Sequence, residues 1–180
     1  MLCYHGTSID HLESIQEHGL LCCPPDRIWS VSENAVYFWC KDGLFQEYDD
    51  INDEILIYHS LNQALTSCAF AKNATPICIE FEIDDDLVEA DQSCENADHA
   101  NCTFEDVRPD QIKNIFIGPD LNLYKIFLMK AMHNRTLLHN SFNNEELTLL
   151  DHIEDDWYAV YNLMSEKLYD YHPLEMAVYS

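Results

Sequence analysis

Gly118-Pro119 divides the 180-residue chain into two stretches of unlike pattern, and this break constrains the fold more than any other feature. Glycine followed by proline stops both helix and strand. Before it, short β-branched and aromatic runs alternate with helical spacing. After it, apolar residues recur at threes and fours, with nothing strand-like. The pattern predicts an α+β core over residues 1–118 and a helical extension over 119–180 packed on it.

Within the first part, Leu2-Cys3-Tyr4 reads as a short strand running into His5-Gly6-Thr7-Ser8. Ser8 or Asp10 can cap a helix through about Gln16, with Leu12 and Ile15 on one face and Gly19 as its terminating residue. Ala35 to Trp39 is strongly strand-like, residues 41–53 are polar and loop-like, and Ile55 to Lys72 has amphipathic helical spacing. Thr75 to Asp84 is a strand whose alternation puts Ile79, Phe81 and Ile83 on one face. A polar stretch, Asp91 to Asn101, leads to Cys102–Val107 and then to a strand at Asn114–Ile117. In the second part, Leu121 to Met132 and about Asn144 to Tyr169 read as helices. Tyr124, Phe127, Trp157, Tyr158, Tyr161, Tyr169 and Tyr171 are set there among many carboxylates. The simplest arrangement packs the apolar face on the core and leaves the acidic face in water; the alternative is a target-docking surface.

Nine Lys and Arg against 33 Asp and Glu give a formal charge of −24. Nucleic-acid affinity comes largely from cations replacing counterions on phosphates, so this balance disfavours nucleic acid and favours basic proteins or neutral small molecules as partners. It also points to a monomer. The apolar share of 47% is that of an ordinary globular protein rather than a disordered acidic chain. No apolar run approaches the roughly 20 residues that span a bilayer, and no signal-peptide pattern precedes His5, so a cytoplasmic location is expected, with the eight cysteines reduced. Cys94, His99 and Cys102 are the one metal-like cluster, but they lack a CxxC pair and a fourth ligand, and no metal is expected. Cys22-Cys23 has no basic neighbour to activate a thiolate, and four glycines cannot supply a dinucleotide fingerprint.

His5-Gly6-Thr7-Ser8 is the most informative stretch. A glycine at a strand end lets a planar amide approach the main chain, and a neighbouring histidine can donate to a ribose hydroxyl. The segment resembles the first element of the ADP-ribosyltransferase superfamily, in which a strand carries His-Gly-Thr, a short helix follows, and a second strand brings a tyrosine to the nicotinamide. Val36-Tyr37-Phe38 resembles that second strand. The helix around Leu61–Phe70, the strand Ile77–Ile83 and the segment Pro109–Ile112 leading to Ile117 resemble later elements in order. The resemblance covers about residues 1–118. It implies a split, antiparallel-rich β core that binds NAD as a substrate and transfers ADP-ribose to a macromolecular acceptor, as toxin-like and polymerase members of this glycosyltransferase class do. By the same resemblance, His5 holds the NAD ribose and Gly6 pairs with the carboxamide through its main chain. Thr7 and Ser8 orient that loop, and Tyr37 stacks on the nicotinamide ring.

Cleavage at ribose C1 builds positive charge that a carboxylate can stabilise. Glu105 is the best candidate in Cys102–Val107, on the same face as Thr103 and Val107 if the strand continues. It lies four residues before Pro109, nearer than the family spacing, which falls at Asn101 or Cys102 and would give a site without a glutamate. The alternative function is therefore a catalytically degenerate acidic protein, an inhibitor or decoy, that binds a basic partner on the same scaffold.

Overall fold

A computed structural model of the chain describes residues 1–24, 34–40, 52–91, 100–133, 145, 148, 150 and 157–175. The strands are β1 (Leu2–Ser8), β2 (Val36–Cys40), β3 (Pro76–Glu82), β4 (Glu89–Ala90), β5 (Ala100–Thr103), β6 (Ile112–Ile117) and β7 (His172–Pro173). They form one sheet in the order β4-β5-β2-β1-β3-β6-β7, with every pairing antiparallel. The helices are α1 (Leu12–His18), α2 (Asp53–Phe70), α3 (Lys125–His133) and α4 (Trp157–Lys167), and Leu150 between the last two is also helical. The expected α+β class with an antiparallel sheet is the observed one.

Alternation along the strands separates two apolar clusters. On one face Cys3, Val36, Phe38, Cys40, Ile77, Ile79, Phe81 and Ile115 pack with Ile15 of α1, Leu20 and Val107. On the other, Tyr4 and Cys78 pack beneath Leu56, Leu61, Leu65 and Cys68 of α2. Leu121, Leu128, Met132, Leu150, Met164 and Leu168 extend this second cluster, so the residues after Gly118 share a core with the sheet. They also contribute β7, which pairs Phe116 with Pro173 and Ile117 with His172, an addition that no strand-like pattern announces.

α2 begins at Asn52, whose side chain accepts from the Ile55 main-chain N–H at 3.0 Å, with Asp53 and Glu54 in the first turn favouring the positive end of the helix. It lies close against β1. A Cβ built on Gly6 would fall 1.7 Å from the Ser60 carbonyl oxygen and 3.2 Å from the Ala64 nitrogen. Glycine is thus required where two main chains meet. Ser60 ties the contact by donating to the Tyr4 carbonyl at 3.0 Å, buried from solvent. Lys125 fastens α3 to the end of α2 by donating to the Ala71 carbonyl.

β3 is covered on both faces, so Glu80 is only 8% exposed despite its charge. Its carboxylate accepts from the Tyr4 hydroxyl at 3.2 Å and from the Asn114 amide, the two residues directly opposite it in β1 and β6. Burial, reinforced by Glu80 and Asp53, holds the Tyr4 hydroxyl protonated well above its usual range. Across α1, Gly19 takes φ +81° as expected of a helix-terminating glycine, and Leu20 and Val107 exchange main-chain hydrogen bonds at 2.9 Å each.

Because the Gly6 contact is backbone against backbone, no side chain can give way. Gly6→Ala is expected to lower unfolding free energy by about 3 kcal/mol in urea titrations. An unchanged midpoint would show that α2 withdraws from β1 without loss.

Candidate functional site

The sheet is not uniformly laced. β1 pairs with β3 over seven residues, from Leu2 through Ser8, and β2 pairs with β5 over four, from Val36 through Trp39. Between β1 and β2 the ladder holds only Cys3 to Cys40 and Tyr4 to Trp39. Beyond Tyr4 the two central strands part, and His5, Gly6, Thr7 and Tyr37 all border the parting. The bridge across it is a side chain: His5 Nδ1 lies 2.7 Å from the Tyr37 main-chain oxygen.

That contact settles the protonation of the ring. A carbonyl oxygen can only accept, so Nδ1 carries the proton and donates. Burial lowers the His5 pKa below its ordinary 6.5, outweighing the stabilisation that the Tyr37 carbonyl gives the charged form. Near neutral pH the imidazole is uncharged, and Nε2 is left as an acceptor. A ribose hydroxyl in the parting would therefore donate to His5, the reverse of the direction in which a histidine donates to the sugar.

The remaining candidates divide by role. Gly6 is explained first by α2, whose main chain occupies the space of a Cβ. Thr7 is buried two residues beyond His5, on the same face by alternation. Ser8 is fully buried and structural. Its Oγ accepts from the Asp10 N–H and donates to the Asn73 carbonyl, capping the turn that leads into α1. Asp10, the other expected cap, instead accepts from Asn73 across the same turn. Tyr37 is half-buried and opposite Cys102 of β5. Alternation sets Tyr37 with Trp39 on the α2 side, while Val36 and Phe38 enter the opposite cluster. The main chain of Tyr37 thus meets His5, and its ring belongs to the other side of the sheet.

Glu105 stands apart from this arrangement. The expected strand through Val107 ends at Thr103, because Val107 is drawn into its bridge with Leu20 and the chain bends at Phe104 and Glu105. Glu105 is exposed beyond the strand end, its N–H bonded to Thr103 Oγ1 at 3.3 Å. It lines an acidic recess of about 840 Å³ with Met1, Asp84, Asp85, Asp86 and Asp106, a recess that includes neither His5 nor Tyr37. The β5 residues opposite Phe38 and Tyr37 are Asn101 and Cys102, and Asn101 donates to Cys40 Sγ at 3.0 Å.

Other sequence-level candidates are also located. Cys22 has its thiol pushed up to about 11 by burial and the neighbouring Asp106, the opposite of an activated nucleophile. Cys102 is buried in β5, while Cys94 and His99 lie outside the described residues. Among the described residues no three His, Cys, Asp or Glu side chains are arranged to hold a metal ion. No described helix is long and apolar enough to cross a membrane. Comparison with known proteins finds no matching family model, no similar curated protein and no similar solved structure.

Sequence reasoning missed Glu80, the most deeply buried carboxylate among the described residues, because the Ile-Glu-Phe-Glu alternation has the look of a strand with one wet face. It missed the Nδ1 contact too, since a main-chain acceptor leaves no trace in residue type.

The lowered His5 pKa has a defined sign. Between that value and 6.5 the unfolded chain binds the proton that the folded chain refuses, so His5 favours folding above 6.5 and this contribution is lost as pH falls toward the folded value. Melting temperatures from pH 7.5 to 5 should fall less steeply in His5→Gln than in wild type. Parallel curves would remove the buried neutral imidazole.

Proposed function

We propose that the chain binds NAD where β1 and β2 part and transfers ADP-ribose from it to a macromolecular acceptor, releasing nicotinamide. The observation that carries this reading is the His5–Tyr37 bridge at the point where the β1–β2 ladder stops. A short gap between central strands, bordered by a glycine and by an imidazole with a free acceptor nitrogen, suits an amide and a sugar hydroxyl together. The His-Gly-Thr and Tyr-Phe elements that resemble the ADP-ribosyltransferase superfamily border this same gap.

In this reading the residues act as follows. Nε2 of His5 accepts from a ribose hydroxyl and fixes the sugar. The main chain at Gly6 pairs with the carboxamide. Thr7 and Ser8 hold β1 in register, Ser8 through its cap and its bond to Asn73. Tyr37 borders the gap through the main-chain oxygen that holds His5, and the stacking that the resemblance assigns to its ring, a cation–π attraction of about 0.5–2 kcal/mol, requires the nicotinamide to pass through the gap to the α2 face. Glu105 supplies the carboxylate by swinging in from the exposed bend. The acceptor is a basic protein, as a surface of net charge −24 requires of a tightly held macromolecule.

A second reading has its own support. The two β5 positions opposite Phe38 and Tyr37 are an amide and a thiol rather than a carboxylate. A scaffold of this kind without a carboxylate binds NAD or a basic partner without turnover, as an inhibitor or decoy would.

Nicotinamide release from NAD, followed with whole-cell lysate as the acceptor source, separates the two. The transferase reading expects release by wild type, loss in His5→Ala and Tyr37→Ala, and a fall of about 10²–10³ in Glu105→Gln. Release at wild-type rate in Glu105→Gln would move the carboxylate elsewhere. No release by wild type, with NAD still bound, would establish the non-catalytic reading. Binding should also weaken once pH drops below the lowered pKa of the folded His5, beneath the ordinary 6.5, because a protonated His5 has no acceptor left for the sugar.

A further inference from the structure

Four aromatic rings form a ladder on the α2 side of the sheet. It starts at Trp39, the last residue of the β1–β2 ladder, whose indole stacks on His59 of α2 at 5.3 Å and 30°. His59 meets Tyr58 edge-on at 5.6 Å, and Tyr58 stacks on Tyr169 just beyond α4 at 4.4 Å and 12°. His59 is exposed and Tyr169 is 52% exposed, so the ladder is accessible along part of its length. Trp39 and Tyr58 pack by one side on the cluster of Leu56, Leu61 and Leu65, which are 0–1% exposed, while His59 and Tyr169 reach the surface.

Carboxylates flank the ladder. Glu54 lies one helical turn before Tyr58 on α2, while Glu166 and Asp170 bracket Tyr169 in sequence, and all three are exposed. Glu54 and Asp53 also lie near enough to Tyr171 to reinforce the upward shift that burial gives its hydroxyl. Among the described residues none of Glu54, Glu166 and Asp170 is held in a salt bridge, and α4 offers a single cation, Lys167.

Rings beside carboxylates select a particular chemistry. A guanidinium is planar, stacks on aromatic faces and pairs with a carboxylate through two parallel N–H bonds, whereas an ammonium does neither as well. Nucleobases also stack on such rings, but their phosphates would meet acidic groups in a chain of charge −24.

We infer that the Trp39–His59–Tyr58–Tyr169 ladder is a docking surface for an extended, arginine-bearing segment of a basic partner protein. Guanidinium groups stack on the rings and pair with Glu54, Glu166 and Asp170. The docking does not depend on NAD binding where β1 and β2 part.

The test uses the full chain, titrated calorimetrically at physiological ionic strength with an alternating Arg-Ser octapeptide, its Lys-Ser counterpart and oligo-dT. The arginine peptide should bind, and the lysine peptide should bind about threefold to fivefold more weakly. Tyr169→Ala should weaken the arginine peptide by at least that factor, and Tyr169→Phe should restore it, which separates loss of the ring from loss of folding. Glu54→Gln with Glu166→Gln should weaken binding and flatten its salt dependence. His5→Ala should leave the peptide affinity unchanged, so failure of the NAD reading would not touch this result. Equal affinity for the two peptides, wild-type binding by Tyr169→Ala, no binding of either peptide, or preference for oligo-dT would each overturn the proposal.

Discussion

The seat of α2 on β1 governs this molecule. At Gly6 two main chains come together with no side chain between them, and Ser60 fastens the contact through the Tyr4 carbonyl. Everything on the α2 side is positioned from there: the apolar cluster under α2, the buried Tyr4–Glu80–Asn114 network, and α3 packed on α2. The parting of β1 from β2 begins at the same place. Tyr4 is the last residue of β1 in the ladder with β2, and the next two residues are the histidine that bridges the gap and the glycine that admits the helix.

Burial of Glu80 shows what this packing demands. A carboxylate at 8% exposure is tolerated here because two neutral donors, a hydroxyl and an amide, face it from the strands on either side. Removing either donor would leave a buried acceptor without a partner, a loss of about 1–3 kcal/mol and more when the group is charged. The network therefore holds β1, β3 and β6 in one register. It does so through side chains that ladder bonds alone would not select.

The alternation in Pro76–Glu82, the helical spacing after Asp53 and the β-branched and aromatic run at Val36–Cys40 made three central elements legible from residue order. Gly19 as a helix terminator was legible for the same local reason. What escaped was set by distant partners. β1 continues through Ser8 because β3 pairs along its whole length, although Gly6 would ordinarily weaken a strand. The strand at residues 100–103 stops short of Glu105 because Val107 pairs with Leu20, some 87 positions earlier in the chain. At the candidate site, residue types pointed to His5, Gly6 and Tyr37. Which atom of Tyr37 meets the imidazole, and the displacement of Glu105 from that place, are properties of strand register.

Both outer strands of the sheet are two residues long, and each discourages a further neighbour. β4 carries Glu89, and β7 ends in Pro173, which has no N–H to offer. Such rims guard against sheet-to-sheet polymerisation, and the repulsion between chains of charge −24 adds to that protection. Among the described strands, the longer stretch where neighbours fail to pair is internal, between β1 and β2. Among the described strands the ends of the sheet thus give a second molecule of the same chain only two-residue templates from which to grow a fibre, while the interior seam is bridged by the His5 imidazole.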